Sequence, residues 1–515
     1  MSALAAARHA LRSTPLTRRI GWVREMQGLA IEAQGPQAAV GELCRIMVRT
    51  AGAPGHGDIG AADTTLNASK SVLAEVVGLK NGRITLMPYG ACAGVAVGCE
   101  VWALGAQSEL GVGEELLGRV IDCFGIPLDG LPPPRTTRRR ALMANPINPM
   151  HRPPIRQVLE TGVRCIDALL TLAQGQRVGI FAGSGVGKST LLGLLARHVK
   201  AQHGDGDHAS RAVNVIALIG ERGREVREFI EQQLGPEGLA RSVVVVATAD
   251  QPALARLRAA HAALTIAEQF RDDGYRVLLT MDSITRFAMA RREVGLSAGE
   301  PPTARGYTPS VFAELPQLCE RCGTAPGGGS ITALFTVLVE GDDFNEPVSD
   351  ALRAVLDGHI VLSRQLAHRG HYPAIDVLKS VSRLMPDLAD ERQSELATAA
   401  VQNLALLERN RQMIDIGAYD SGSNALLDRA IALEPKLSDW LRQSSPGVPR
   451  EQALAQLQAI LGQPASRGPI QTSSVAPQSP PPRPTSAPSP TAAVSSLTPN
   501  RGAPAASLSV TASKA

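Results

Sequence analysis

Aromatic residues make up only 3% of this 515-residue chain, so its core must be built largely from the aliphatics within an apolar fraction of 44%. No stretch approaches the ~18 consecutive apolar residues of a membrane span, and the N-terminus lacks the apolar block of a secretory signal. The sequence therefore reads as soluble. Neither charge sign dominates: 52 Lys and Arg face 48 Asp and Glu, and a net charge of +4 is too weak to announce nucleic-acid binding. Acids are missing altogether from residues 464–515, where Arg467, Arg483, Arg501 and Lys514 stand among 11 prolines, and the remainder of the chain is neutral. The first 20 residues also lack acids but hold Arg8, Arg12, Arg18 and Arg19. A transit peptide, a basic docking helix and a frayed terminus all suit that composition. The seven cysteines (Cys44, Cys92, Cys99, Cys123, Cys165, Cys319, Cys322) are odd in number and scattered, as in a reducing compartment. Cys319 and Cys322 form a CxxC without a second pair or nearby histidine to complete a zinc set. Their spacing places both thiols on one helical face, and packing is the expectation.

The texture changes four times along the chain. After a basic arm (1–21), residues 22–104 hold short β-like runs, LAIEA, SVLAEVVGL, RITLMP and EVWAL, which predict a small β-barrel. Residues 105–377 alternate apolar strands with helical stretches, the pattern of an α/β domain with a parallel sheet. Strands are expected at 176–181, 214–219, 242–247, 276–281 and 331–339, continuous rather than alternating because both faces are covered. Helical periodicity dominates 378–463, and the Pro/Ser/Ala-rich tail 464–515 is expected to be disordered.

The strongest chemical signal follows the first of those strands. In Ala182-Gly183-Ser184-Gly185-Val186-Gly187-Lys188-Ser189-Thr190 the glycines let backbone N–H groups face phosphate oxygens, and the helix that follows turns its positive end to them. Lys188 would reach the β- and γ-phosphates and Ser189 would ligate Mg²⁺. Ala182 replaces the usual first glycine, a minor departure because the crowded positions come later. The order strand, loop, helix predicts a mononucleotide site.

A triphosphate needs a second acid for its metal. Asp282 ends the strand RVLLTMD, where open α/β sheets bind ligands, and is expected to hold Mg²⁺ through water. Glu221 follows strand 214–219 by one residue; a carboxylate there can orient and deprotonate an attacking water and Arg222 can touch the γ-phosphate, although by itself the run suits a charged turn opening a helix better.

Taken together, AGSGVGKST, LIGERGREV, MDSITRFAMARREVGLSAGEPPTARGYTPSVFAELP, VEGDDFNEPVSDALRAVLDGHIVLSR and GHYPAIDVLKSVSR resemble the ATPases of bacterial type III export, flagellar or injectisome. That family is similar to the catalytic subunit of rotary ATP synthases. The resemblance runs from about residue 22 to 460, and TRFAMARREVGL with GLAIEAQG…GELC looks more like the flagellar branch. The hydrophilic stretch 203–211, with His203 and His208, and the tail depart from the pattern; the histidines suit a solvated loop better than a metal site.

The resemblance implies a RecA-like core between an N-terminal β-barrel and a C-terminal helical domain. It implies that Glu221 is the catalytic acid, Arg222 a phosphate contact, Arg383 (SVSR) an arginine finger for a neighbouring subunit, and Tyr372 (HYPAID) the ring that stacks on adenine. Tyr419 is a weaker candidate for a base contact. ATP and Mg²⁺ are the implied substrate and cofactor. A homohexamer is implied, with a regulatory dimer at the N-terminal arm, a stalk protein, export-gate membrane proteins and chaperone–cargo complexes as partners. The place would be the cytoplasmic face of the membrane, with peripheral lipid contact through the basic arm and no nucleic acid bound. A ring-shaped RNA translocase would want aromatic platforms, and residues 1–150 offer only Trp22, Tyr89, Trp102 and Phe124, scattered. A non-catalytic ring subunit would lack Glu221. A rotary synthase subunit is opposed by the wording GHYPAIDVL and EGDDFNEP.

Overall fold

The computed structural model describes residues 17–48, 71–105, 108–198, 212–339, 341, 343–444 and 447–462. Arg8, Arg12, His203, His208 and the tail expectation for 464–515 lie outside these.

Six strands close a barrel: β1 (Ile20–Gln27), β2 (Ala30–Gln34), β3 (Leu43–Met47), β4 (Ser71–Lys80), β5 (Arg83–Pro88) and β6 (Glu100–Ala103), in the order β1-β2-β5-β4-β3-β6. Alternate residues point inward, as in β4, where Val72, Ala74 and Val76 are buried and their neighbours only half-buried. This period of two is what one wet face and one packed face demand. The closing seam is short: Ile20, Gly21 and Trp22 pair with Trp102, Val101 and Glu100. Arg18 lies over the Trp102 ring, 4.6 Å from its centre, and Arg19 pairs with Glu42. The basic arm expected over residues 1–21 therefore loses these two arginines to the barrel, because an aromatic face and a carboxylate lie within their reach.

The second layer is a nine-stranded sheet. Its strands are β7 (Val120–Ile121), β8 (Arg177–Ala182), β9 (Ala212–Ile219), β10 (Ser242–Ala247), β11 (Arg276–Asp282), β12 (Gly323–Thr324), β13 (Ser330–Leu338), β14 (Gly358–Leu362) and β15 (Val381–Ser382). The order is β15-β14-β8-β13-β11-β9-β10-β7, with β12 antiparallel on β13. The pairs from β14 through β7 are parallel, and only β15 runs antiparallel on β14. The central strands are buried on both faces; all six residues of β10, SVVVVA, are inside. Helices α1 (Lys188–His198), α2 (Gly223–Glu228), α3 (Ala253–Asp272), α4 (Ile284–Ser297) and α5 (Pro309–Glu320) accompany the sheet. The predicted strands lie within two residues of the observed ones, whereas β7, β12, β14 and β15 were not foreseen. Three of those have only two residues each, too short for any period to register.

Cys319 and Cys322 do not share a helical face. Helix α5 ends at Glu320, and Cys322 sits in the turn beyond it, its N–H donating to the Cys319 carbonyl at 3.1 Å. Both thiols are buried, and burial pushes that of Cys322 up to about 12. Among the described residues no group of three or more His, Cys, Asp and Glu side chains is placed to hold a metal ion.

Helices α6 (Glu391–Asp415), α7 (Ala425–Leu441) and α8 (Arg450–Leu461) pack together and against the short helix Arg164–Leu169. Gln393 ties them down, its amide donating to the carbonyls of Asp167 and Ala168 and to the Thr171 hydroxyl. No described helix is long and apolar enough to cross a membrane.

Candidate nucleotide site

The loop Gly183–Gly187 leaves β8 at the end of the sheet where β9 and β11 also finish, so one edge gathers the phosphate loop, Glu221 and Asp282. Two of its glycines have positive φ, Gly185 at 75° and Gly187 at 85°, a region side chains avoid. Gly187 has a further reason: a Cβ there would lie 3.3 Å from two ring carbons of Tyr372. Val186 is buried, Gly183 lines the strand end, and Ser184, Ser189 and Thr190 face outward at the start of α1.

Lys188, the first residue of α1, turns back to the strand ends. Its Nζ lies 2.5 Å from Asp282 Oδ1 and 3.6 Å from Glu221 Oε1. Burial pushes the ammonium down, but the two carboxylates more than offset that and hold it above the ordinary lysine range. Glu221 moves the opposite way. Burial first, then the charge of Asp282, raise its carboxyl to about 7. Its Oε1 is buried and makes no hydrogen bond among the described residues.

Backbone contacts fix Glu221 in place. Gly220, at a φ of 71°, turns the chain at the end of β9 and donates to the Ala247 carbonyl at 2.6 Å. The Glu221 carbonyl accepts from Ala249 at 3.0 Å. Asp282 is buried, and its Oδ1 accepts a second hydrogen bond from Thr336 Oγ1 at 2.7 Å. Thr336 was missed by sequence reasoning, although a lone hydroxyl in the apolar run ALFTVLV was a visible signal.

Two carboxylates therefore face one ammonium, and Glu221 Oε1 has the ion pair at 3.6 Å but no hydrogen bond. Once Lys188 turns to phosphate, the acids are left with charge and lone pairs for a hydrated divalent cation. The residues present fit Mg²⁺.

Not every expected residue joins this cluster. Arg222 projects into solvent, its side chain 77% exposed and 3.8 Å from Glu225. Tyr372 lies beside the loop, 45% exposed, so a free ring face borders the phosphate positions. Tyr419 is engaged elsewhere, donating to Asp428 at 3.0 Å and to the Asn424 carbonyl at 3.1 Å in the α6–α7 connection. Arg383 stands at the other end of the sheet. Its N–H donates to the Asp357 carbonyl and its guanidinium to the Arg353 carbonyl, beside the start of β14. Arg177, at the start of β8, binds the same Asp357, so five strand residues, roughly 16 Å, separate that level from the phosphate loop. Arg383 cannot reach its own chain's phosphates.

The chain is similar to known proteins along most of its length. Residues 23–105 match the β-barrel domain and residues 162–382 the nucleotide-binding domain of the ATP synthase alpha/beta family. Residues 389–459 match the C-terminal domain of the T3SS ATPase EscN. The flagellum-specific ATP synthase of Bacillus subtilis is 48% identical over 447 residues, covering 86% of this chain and 96% of that one. The chain belongs to the flagellum-specific ATP synthase and type 3 secretion ATPase family. It is accordingly a P-loop ATPase with a barrel, a nucleotide-binding domain and a helical domain. The family member from Salmonella typhimurium, also a flagellum-specific ATP synthase, is 49% identical over 437 residues, 83% of this chain and 90% of its own. Among solved structures, the assembled EscN of enteropathogenic E. coli superposes with a TM-score of 0.76 at 39% identity, over 86% of this chain and all of that one. EscN in complex with its central stalk EscO gives 0.73 at the same identity and coverage.

Proposed function

We propose that this chain hydrolyses MgATP at the interfaces of a homohexameric ring, and that the ring drives unfolding, chaperone release and translocation of proteins through the flagellar type III export apparatus. The observation that carries the reading is Lys188 held between Asp282 and Glu221 at the mouth of the phosphate loop. An arriving triphosphate offers Lys188 stronger partners than its carboxylates. The exchange frees Glu221, whose Oε1 then takes a proton from water as the water oxygen attacks the γ-phosphorus and the bond to the β–γ bridging oxygen breaks. A carboxyl raised to about 7 is a stronger base than an ordinary glutamate and suits that duty. Mg²⁺, when bound, supplies charge neutralisation; the Ser189 hydroxyl and, through water, the Asp282 carboxylate are the groups to hold it. Tyr372 offers its face to adenine, and Arg222, adjacent to Glu221, swings to the γ-phosphate.

Arg383 completes the site of a neighbour, which its distance from its own loop supports. A homo-oligomer and a stalk partner are consistent with the assembled EscN and its EscO complex. The regulatory dimer, export gate, chaperone–cargo complexes and acidic lipid are the remaining partners of the reading, which places the ring at the cytoplasmic face of the membrane. Injectisome export is the second reading, favoured by the match of residues 389–459.

Two experiments test this. Purified Glu221→Gln should bind ATP and fail to hydrolyse it, and normal turnover would remove Glu221 from its role. The chain should restore motility to a bacterium lacking its flagellum-specific ATP synthase. Rescue of injectisome secretion without motility would favour the second reading.

A further inference from the structure

Strand β13 runs between β8, which feeds the phosphate loop, and β11, which ends in Asp282. Thr336 stands on it opposite Ile180 of β8 and one step beyond the Phe335–Met281 pair. Its side chain is completely buried, and it is the polar residue in the run Ala333–Val339. A threonine hydroxyl has one proton to give. Two acceptors compete for it: Asp282 Oδ1 at 2.7 Å and the Met281 carbonyl at 3.4 Å. The nearer acceptor carries the charge, so the proton goes to Asp282.

Asp282 Oδ1 thus has two donors of different kinds. Lys188, at 2.5 Å, belongs to the phosphate loop and is drawn off when phosphate arrives. Thr336 belongs to a central strand buried on both faces, and its other acceptor, the Met281 carbonyl, is farther away at 3.4 Å. A carboxylate that loses one of two donors and keeps the other retains its orientation; one that loses its only donor turns about its side-chain bonds.

We propose that Thr336 is a positioning residue for Asp282: it holds Oδ1 after Lys188 has left, which keeps Oδ2 directed at the hydration shell of the nucleotide's metal ion. This rests on the reading of Asp282 as the acid that holds the metal. It goes beyond that reading by assigning the support to a hydroxyl on a strand that contributes nothing else to the site.

The test uses the full chain, ADP and Mn²⁺, with the free metal followed by electron paramagnetic resonance. Thr336→Val keeps the branched shape and removes the proton, and should weaken Mn²⁺ binding to the ADP complex by about tenfold, the low end for a lost partner of a metal-holding group. ADP affinity without metal should stay as in the parent. Thr336→Ser, which restores the hydroxyl, should restore metal affinity. Asp282→Asn separates the two layers. If it weakens Mn²⁺ binding while Thr336→Val does not, the role of Thr336 is overturned and that of Asp282 stands; if Asp282→Asn has no effect, both fall. A serine variant as weak as valine, or a valine variant that loses metal-free ADP affinity, would show that shape rather than the hydrogen bond matters and would overturn the proposal.

Discussion

Tyr372 and Arg383 are eleven residues apart on one segment, yet they serve opposite ends of the sheet. From Tyr372, beside Gly187, the chain runs back along β14, with Ser363 and Ala374 joined near one end and Arg383 and Asp357 at the other. At one end of the sheet two carboxylates, Glu221 and Asp282, share the single ammonium of Lys188. At the other end Arg383 is exposed, and its guanidinium donates to the Arg353 carbonyl. A group that finds its partners at home is set for its own chain's ligand, whereas a cation left at the rim is available to a different molecule. The proposed division, in which a subunit holds one part of catalysis and lends the other, follows this layout.

That comparison can be broken, and the largest expected effect lies at the Arg383 end. Arg383→Ala should lower turnover by roughly 10³–10⁵-fold, the worth of an arginine finger, while nucleotide affinity of the isolated subunit is untouched. Mixing it with Lys188→Ala subunits sharpens the point, since mixed rings contain interfaces with one intact copy of each residue. Recovery of activity is expected, and stable mixed rings without recovery would place both residues in one chain's site. At the Lys188 end, Glu221→Gln should cost about 10²–10⁴-fold in turnover, measured as phosphate release, with ATP binding retained. Tyr372→Ala should leave the maximal rate nearly intact and weaken ATP binding by about 5- to 150-fold, corresponding to ~1–3 kcal/mol of stacking; a purely structural tyrosine would instead lower the melting temperature with affinity unchanged. The smallest effect belongs to neither end. Truncation after Gln463 should leave melting temperature and ring ATPase unaltered, and a large loss of either would show that the tail packs on the ring.

How much of this was legible from residues alone depends on distance along the chain. The phosphate loop, Asp282 and Glu221 each follow an apolar strand, so local pattern located them. The Thr336 contact joins two strands 54 residues apart and depends on register, which no local pattern carries. Helix α7 falls within the helical stretch expected over 378–463 and runs through Pro435, packed against its neighbours α6 and α8. The CxxC spacing suggested one helical face, and the helix stopped between the two cysteines. Arg222 shows the reverse limit: its place in GER is plain, but in the structure its side chain projects into solvent beside Glu225.

The barrel seam also has a mechanical side. Arg18 on Trp102, Arg19 on Glu42 and the Arg19 carbonyl under the Ala103 N–H anchor the start of β1 to the place where the ring of strands closes. A pull on the residues before Thr17 is therefore delivered to a joint only three residue pairs long, and peels it one pair at a time rather than shearing it. Load applied to the N-terminus therefore enters the molecule at the barrel's closing seam.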